Sequence, residues 1–220
     1  MIELRNVCKS FPSRRGKKVV ADNISAIFPA GKAVALFGRN GAGKSTLLQM
    51  ISGNLVPDTG QIIRTGEISY PVGFAGSFHR DLSGAQNTRF IARIYGIDTD
   101  ELIDFVEDFA SLGGHFHMPV RSYSSGMRSR LAFGISMGIR FDTYLVDEVT
   151  SVGDAAFRRK SAEIFKARMA HSGAIVVTHS MTEVRNLCDA GAVLEDGQLH
   201  MYDRVDDAIA HHIRNMDAAT

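Results

Sequence analysis

The pattern of apolar and polar positions divides the chain into three stretches. Near the start, Ile2, Leu4 and Val7 open one strand and residues 19–28 hold a second. The basic run Ser13-Arg14-Arg15-Gly16-Lys17-Lys18 between them reads as a solvated hairpin loop, with a place near a polyanion or a membrane surface as the bolder alternative. Ala33–Phe37 is continuously apolar, the pattern of a strand covered on both faces in a parallel sheet. A helix over 46–51 follows, then the turn Pro57-Asp58-Thr59-Gly60 and short strands over 61–63 and 67–70. The middle stretch is helical. Residues 85–95 and 100–112 each suit a helix, the second with Leu102, Phe105, Val106 and Phe109 at helical spacing. Over 125–139, Met127, Leu131, Ile135 and Ile139 recur every fourth residue. The end reverts to alternation: strands over 144–146 and 174–177, helices over 155–169 and 181–187, and a hairpin whose strands, 193–194 and 198–201, flank Glu195-Asp196-Gly197. A last amphipathic helix carries Val205, Ala208, Ile209 and Ile213. The expected class is α/β.

Composition narrows the possibilities. The 220 residues, 45% apolar and 22% charged, suit one globular domain or one domain with an inserted lobe, and exclude a disordered, collagen-like or disulfide-stapled chain. Lys+Arg number 25 against 24 for Asp+Glu, so no overall basic field recruits nucleic acid, and no nucleic-acid partner is expected. Cys8 and Cys188 lie far apart in sequence and form no metal or redox spacing, which favours a reduced, cytoplasmic setting. The start, Met1-Ile2-Glu3-Leu4-Arg5, has no secretory pattern, and the apolar runs fall short of the ~20 residues that span a bilayer. A role at a membrane would require docking.

Candidate chemistry begins at Gly38-Arg39-Asn40-Gly41-Ala42-Gly43-Lys44-Ser45, a G-x-x-x-x-G-K-[ST] loop between a buried strand and a helix. Its glycines let backbone N–H groups curl around phosphate oxygens, and the helix beginning near Thr46 adds free amides and a positive dipole end. Lys44 supplies a charge for the β and γ phosphates, and Ser45 a hydroxyl for Mg²⁺. The loop indicates a nucleoside triphosphate without showing what is done with it. Tyr144-Leu145-Val146 then ends in Asp147-Glu148, where a doubly wound sheet meets its ligand. There Asp147 can orient Mg²⁺, partly through water, and Glu148 can polarise the attacking water. His179, after the strand 174–178, can hydrogen-bond a γ-phosphate oxygen and sense its loss.

Tyr123-Ser124-Ser125-Gly126-Met127 stands before the i, i+4 helix and upstream of the acidic pair. The order of phosphate loop, helical lobe, small-residue helix start, acidic pair, Ser151-Val152-Gly153-Asp154 and histidine resembles the nucleotide-binding subunit of ABC transporters over essentially the whole chain. That resemblance implies a P-loop ATPase core over 1–74 and 141–220 with an antiparallel β subdomain, and a helical subdomain inserted over about 75–140. Ser124 and Gly126 fall on the family's signature serine and second glycine, while Ser125 replaces a glycine and Met127 the usual glutamine. By resemblance they clasp the γ-phosphate held by a second copy in a homodimer. Phe11 falls where the family stacks an aromatic on adenine, with a buried core phenylalanine as the rival reading. Asp154 belongs to the loop that communicates across the dimer. His79 takes the place of a glutamine that touches Mg²⁺ and water and faces the membrane partner.

Three stretches narrow the resemblance: residues 78–87 resemble those of ATPases that export bacterial surface polysaccharides, and 123–131 and 146–154 look like the ATP-binding subunit of capsular polysaccharide exporters. The chain ends soon after the last helix, without the carbohydrate-binding domain often carried by O-antigen exporters, which favours the capsule type. The implied protein is an ATP- and Mg²⁺-dependent ATPase, peripheral on the cytoplasmic side of the bacterial inner membrane. It would drive integral permease subunits that make most of the contact with the polysaccharide. Export of an O-antigen or teichoic-acid-type polymer, or nutrient import, stays open beside it.

Overall fold

A computed structural model describes residues 1–13, 16–72, 78–147, 154–178 and 180–217. Its strands are β1 (Ile2–Ser13), β2 (Gly16–Phe28), β3 (Ala33–Phe37), β4 (Thr59–Arg64), β5 (Ile68–Pro71), β6 (Thr143–Asp147), β7 (Gly173–Val177), β8 (Ala190–Glu195) and β9 (Gln198–Tyr202). The helices are α1 (Lys44–Ile51), α2 (Gly84–Ile94), α3 (Thr99–Ala110), α4 (Ser125–Gly138), α5 (Ala155–Met169), α6 (Met181–Leu187) and α7 (Val205–Asp217). They fall into two compact units. The first holds Met1–Pro71, Phe141–Glu148 and Met169–Thr220, the second Val72–Arg140 and Val149–Arg168.

The first unit is the α/β body. Its six-stranded sheet runs β5-β6-β7-β3-β8-β9, parallel except for the final antiparallel β8–β9 pair. Every residue of β3 and β7 is buried, as their unbroken apolar runs predict. Full burial of a side chain such as Leu36 contributes about 1.5–3 kcal/mol. Asp196 and Gly197 both take positive φ, 45° and 80°, the geometry of the tight Asp-Gly turn that joins β8 to β9. A second, three-stranded antiparallel sheet has the order β2-β1-β4. Ile2, Leu4, Val7, Ile24 and Phe28 from it join Leu36, Leu48, Ile51 and Ile175 in one core.

One feature of this unit differs from the pattern-based expectation. The β1–β2 strands run almost to the turn, pairing Ser13 with Gly16 and Phe11 with Lys18, so Lys17 and Lys18 lie in a strand rather than a loop. The strand near 67–70 forms the edge of the central sheet beside β6. The buried Ser69 hydroxyl accepts from Leu145 N–H at 2.9 Å, which helps to fix that edge.

The second unit packs α2, α3, α4 and α5. Phe109 lies 5.8 Å from Phe105, 5.8 Å from Phe133 and 5.3 Å from Phe157, ring centre to ring centre. Pairs of this geometry add about 0.5–1.5 kcal/mol beyond burial. Leu131, Ile135 and Ile139 are buried as their spacing predicts, and Met127 is half-buried. Although α5 follows β6 in sequence, it belongs with these helices. Phe157 enters the aromatic cluster, Lys160 pairs with Asp108 at 3.1 Å, and Arg168 donates to the Met137 carbonyl at 2.9 Å. The expected division places 141–220 with the core; among the described residues of that stretch, α5 packs on α3 and α4.

Candidate functional site

The phosphate loop joins β3 to α1. The last residue of β3 is the buried Phe37, and α1 is anchored by buried Leu47, Leu48, Met50 and Ile51. The turn between them is therefore held by packing at both ends. Ala42 N–H donates to the Arg39 carbonyl at 3.0 Å, and Leu47 N–H to that of Gly43 at 2.8 Å. Gly43 sits at φ 112°, and a Cβ there would collide with Val20 Cγ1. Only glycine combines that backbone angle with that approach. No side chain caps α1, and its first turn carries no acid. Its first amides and dipole end thus remain suited to an anion.

Lys44 Nζ donates to the Gly38 carbonyl at 2.7 Å and the Arg39 carbonyl at 3.2 Å, which places its ammonium across the loop. Ser45 Oγ donates to Asp147 Oδ2 at 3.3 Å although 102 residues separate them. A hydroxyl and a carboxylate oxygen side by side suit a hard cation that keeps most of its waters and takes its remaining ligands from phosphate. The two residues expected to hold Mg²⁺ are thereby brought together.

A cleft of about 410 Å³ contains Asn40, Gly41, Gly43, Lys44, Ser45, Thr46 and Asp147 together with Phe11, Lys18 and Val20. Phe11 is 37% exposed on β1, with Lys9 Nζ 5.5 Å from its ring centre. The core reading of Phe11 is therefore replaced by one in which its ring faces the cleft. Gly38, Arg39 and Ala42 line a second cavity of about 330 Å³, shared with the β8–β9 turn and α7. Lys18 lines both; its basic run admits a place near a polyanion, but no motif assigns it to this cleft. A two-residue connection between Ser13 and Gly16 fixes the hairpin register and sets Lys18 opposite Phe11, which is the signal that could have found it.

The second unit carries Ser124, Gly126 and His79. Ser124 is the N-cap of α4, its Oγ accepting from Met127 N–H at 3.2 Å. A Cβ on Gly126 would meet only Ser124 Oγ, at 3.9 Å, so this helix start is open. It lines a cavity of about 260 Å³ with His115 and Arg130. Arg130 pairs with Asp154 at 2.8 Å and stacks over Phe157 at 4.8 Å. Asp154 also accepts from Phe157 N–H at 2.9 Å, and these hydrogen bonds hold its carboxyl below the usual carboxylate range.

His79 is exposed, and its Nδ1 accepts from Asp81 N–H at 3.3 Å, so a neutral ring carries its proton on Nε2. Its backbone is fixed by Asn87, 2% exposed, whose side chain accepts from His79 N–H at 2.9 Å and donates to its carbonyl at 3.1 Å. Asn87 was not singled out from sequence, because an asparagine inside a helix does not announce its burial. Glu148 and His179 lie outside the described residues.

The core sheet, the phosphate loop running into α1 and the separate helical unit define an ATP-binding cassette of the ABC type. A family profile described as ABC transporter matches residues 21–151, and the chain belongs to that family. It is 46% identical to the polysialic acid transport ATP-binding protein KpsT of Escherichia coli, over 98% of this chain and all of that protein. With the capsule polysaccharide export ATP-binding protein CtrD of Neisseria meningitidis serogroup B it shares 43%, over 96% and 98%. Among solved structures, the cassette MJ0796, a post-hydrolysis dimer bound to ADP and Pi, superposes with a TM-score of 0.78 at 19% identity, covering 93% of this chain and 99% of that one. This last likeness is one of fold. Among the described residues no helix is long and apolar enough to cross a membrane.

Proposed function

We propose that this protein is the ATP-binding and ATP-hydrolysing subunit of an exporter that moves capsular polysaccharide across the bacterial inner membrane. The observation that carries the reading is the cleft joining the phosphate loop, Phe11 and the Ser45–Asp147 pair, in a chain 46% identical to a polysialic acid transport ATP-binding protein over that protein's full length. Phe11 would stack on the adenine ring, the loop amides and Lys44 would hold the phosphates, and Ser45 and Asp147 would hold Mg²⁺, which would supply charge neutralisation. Phosphoryl transfer through a loose transition state asks the protein chiefly for this positioning. Glu148 orients the attacking water, and His179 contacts the γ-phosphate.

Two copies close around two nucleotides, Ser124 and Gly126 of each facing the phosphate held by the other. ATP drives closure only to the extent that it binds the closed pair better than the open one. The helical unit meets the membrane permease on the cytoplasmic side. Phe90 and Ile94, 57% and 62% exposed and four residues apart on α2, suit such a docking face near the His79 loop. Co-purification from membranes tests the partner: recovery of a polysaccharide-export permease is expected, and recovery of a nutrient-import permease overturns the export reading. Glu148→Gln tests the chemistry. ATP binding should persist while turnover falls about 10²–10⁴-fold, and wild-type turnover refutes that role for Glu148.

A further inference from the structure

Strand β2 lies along the phosphate loop in a two-residue rhythm. Alternate residues of a strand face one side, and here Lys18 and Val20 both line the nucleotide cleft. Val20 Cγ1 sits where a Cβ of Gly43 would be, and Lys18 Nζ is 3.5 Å from where a Cβ of Gly41 would be. The loop's two cleft-lining glycines are thus met in turn by an apolar branch and by an ammonium. Gly43 and Val20 exclude space; Gly41 and Lys18 leave a cation over bare backbone.

That cation stands where positive charge already gathers. Lys44 lies across the same loop, and the uncapped start of α1 adds its dipole. Cations that converge on one cleft repel each other unless an anion joins them. Among the described residues, two acidic side chains near it are engaged in other contacts. Asp147 accepts from Ser45, and Glu195 of the second cavity accepts from Asn215 at 2.5 Å and lies 3.3 Å from His211. Asp196 is an exposed turn residue.

We infer that Lys18 is a second cation of the nucleotide site, contacting the phosphate chain from β2 while Lys44 serves it from α1. The inference rests on the reading of this cleft as the ATP site. Register supports it, because Lys18 pairs with Phe11, so one hairpin level presents a ring for the base and an ammonium for the phosphates. The flexible four-carbon stem of lysine lets the charge follow an oxygen without fixing its position.

The test is calorimetric titration of the whole chain with ATP·Mg²⁺ and with AMP, at low and high KCl. Lys18→Gln should weaken ATP about three- to tenfold at low salt, with a smaller loss for AMP and a deficit that shrinks as KCl rises. Lys18→Arg should restore most of the affinity. Lys17→Gln, one residue away on the opposite strand face, should leave it unchanged. Lys44→Ala serves as the reference for the reading itself. If Lys44→Ala loses ATP while Lys18→Gln keeps wild-type affinity, the inference falls and the ATP site stands. A lowered melting temperature with unchanged affinity in Lys18→Gln also overturns it, as the mark of a structural lysine. If the wild-type chain takes up no ATP, the reading and the inference fall together.

Discussion

Helices α1 and α4 both begin at small residues and both are assigned to phosphate, yet they are built differently. At α1 the cap is Gly43 in a left-handed conformation, no side chain satisfies the first amides, and Lys44 follows at once. At α4 the cap is Ser124 in an extended conformation, its hydroxyl already accepting from Met127 N–H at 3.2 Å. The first end presents bare backbone and a fixed charge. The second is a self-satisfied cap whose hydroxyl must also donate if it is to serve a phosphate. A hydroxyl can do both, since it carries one donor and two acceptor lone pairs. On the proposed reading, α1 holds nucleotide by itself, whereas α4 adds its contact only when a second copy brings nucleotide to it.

Changes at the α1 end should therefore have the largest effect on binding by an isolated subunit. Lys44→Ala removes a charged donor from the loop and should weaken ATP about 10- to 100-fold in a titration. Wild-type affinity would remove Lys44 from the phosphate site. Phe11→Ala comes next. Stacking on a base contributes about 1–3 kcal/mol, and a ring 37% exposed belongs near the lower end, about a fivefold loss. If the ring reads the base, the loss should be as large for ADP as for ATP. A deficit confined to the triphosphate would show that Phe11 acts on the phosphates instead.

The two ends also differ in how much of them can be read from sequence. The phosphate loop is contiguous, so its spacing, glycines and flanking apolar run carry their meaning without tertiary information. Signals that depend on register or long-range packing were illegible. Lys18 becomes a site residue only once Ser13 is paired with Gly16. The place of β5 beside β6 depends on residues some 75 positions apart, and α5 joins the helical unit through Phe157, Lys160 and Arg168, whose partners lie on α3 and α4. Polar anchors such as Asn87 were hidden for the same reason, since a buried amide and an exposed one have the same letter. The Ser45–Asp147 contact lies between these extremes. Each residue was legible from its own motif, and the fold brings them to 3.3 Å.

The smallest expected effect on binding is also the sharpest probe of the comparison. Ser124→Ala removes the cap of α4 and should cost about 1 kcal/mol in stability, read as a lowered unfolding midpoint, while ATP affinity of the isolated subunit stays unchanged. A fall in turnover in that variant could come from either the lost cap or the lost hydroxyl. Ser124→Gly separates them, because glycine at a helix cap costs only a few tenths of a kcal/mol while removing the same oxygen. If the hydroxyl faces the second copy's phosphate, Ser124→Gly keeps near-wild-type stability and binding yet loses turnover about as severely as Ser124→Ala. Turnover that recovers with stability in Ser124→Gly makes Ser124 a helix cap alone. The trans contact at α4 would then rest on backbone amides, and the two helix ends would work by the same means.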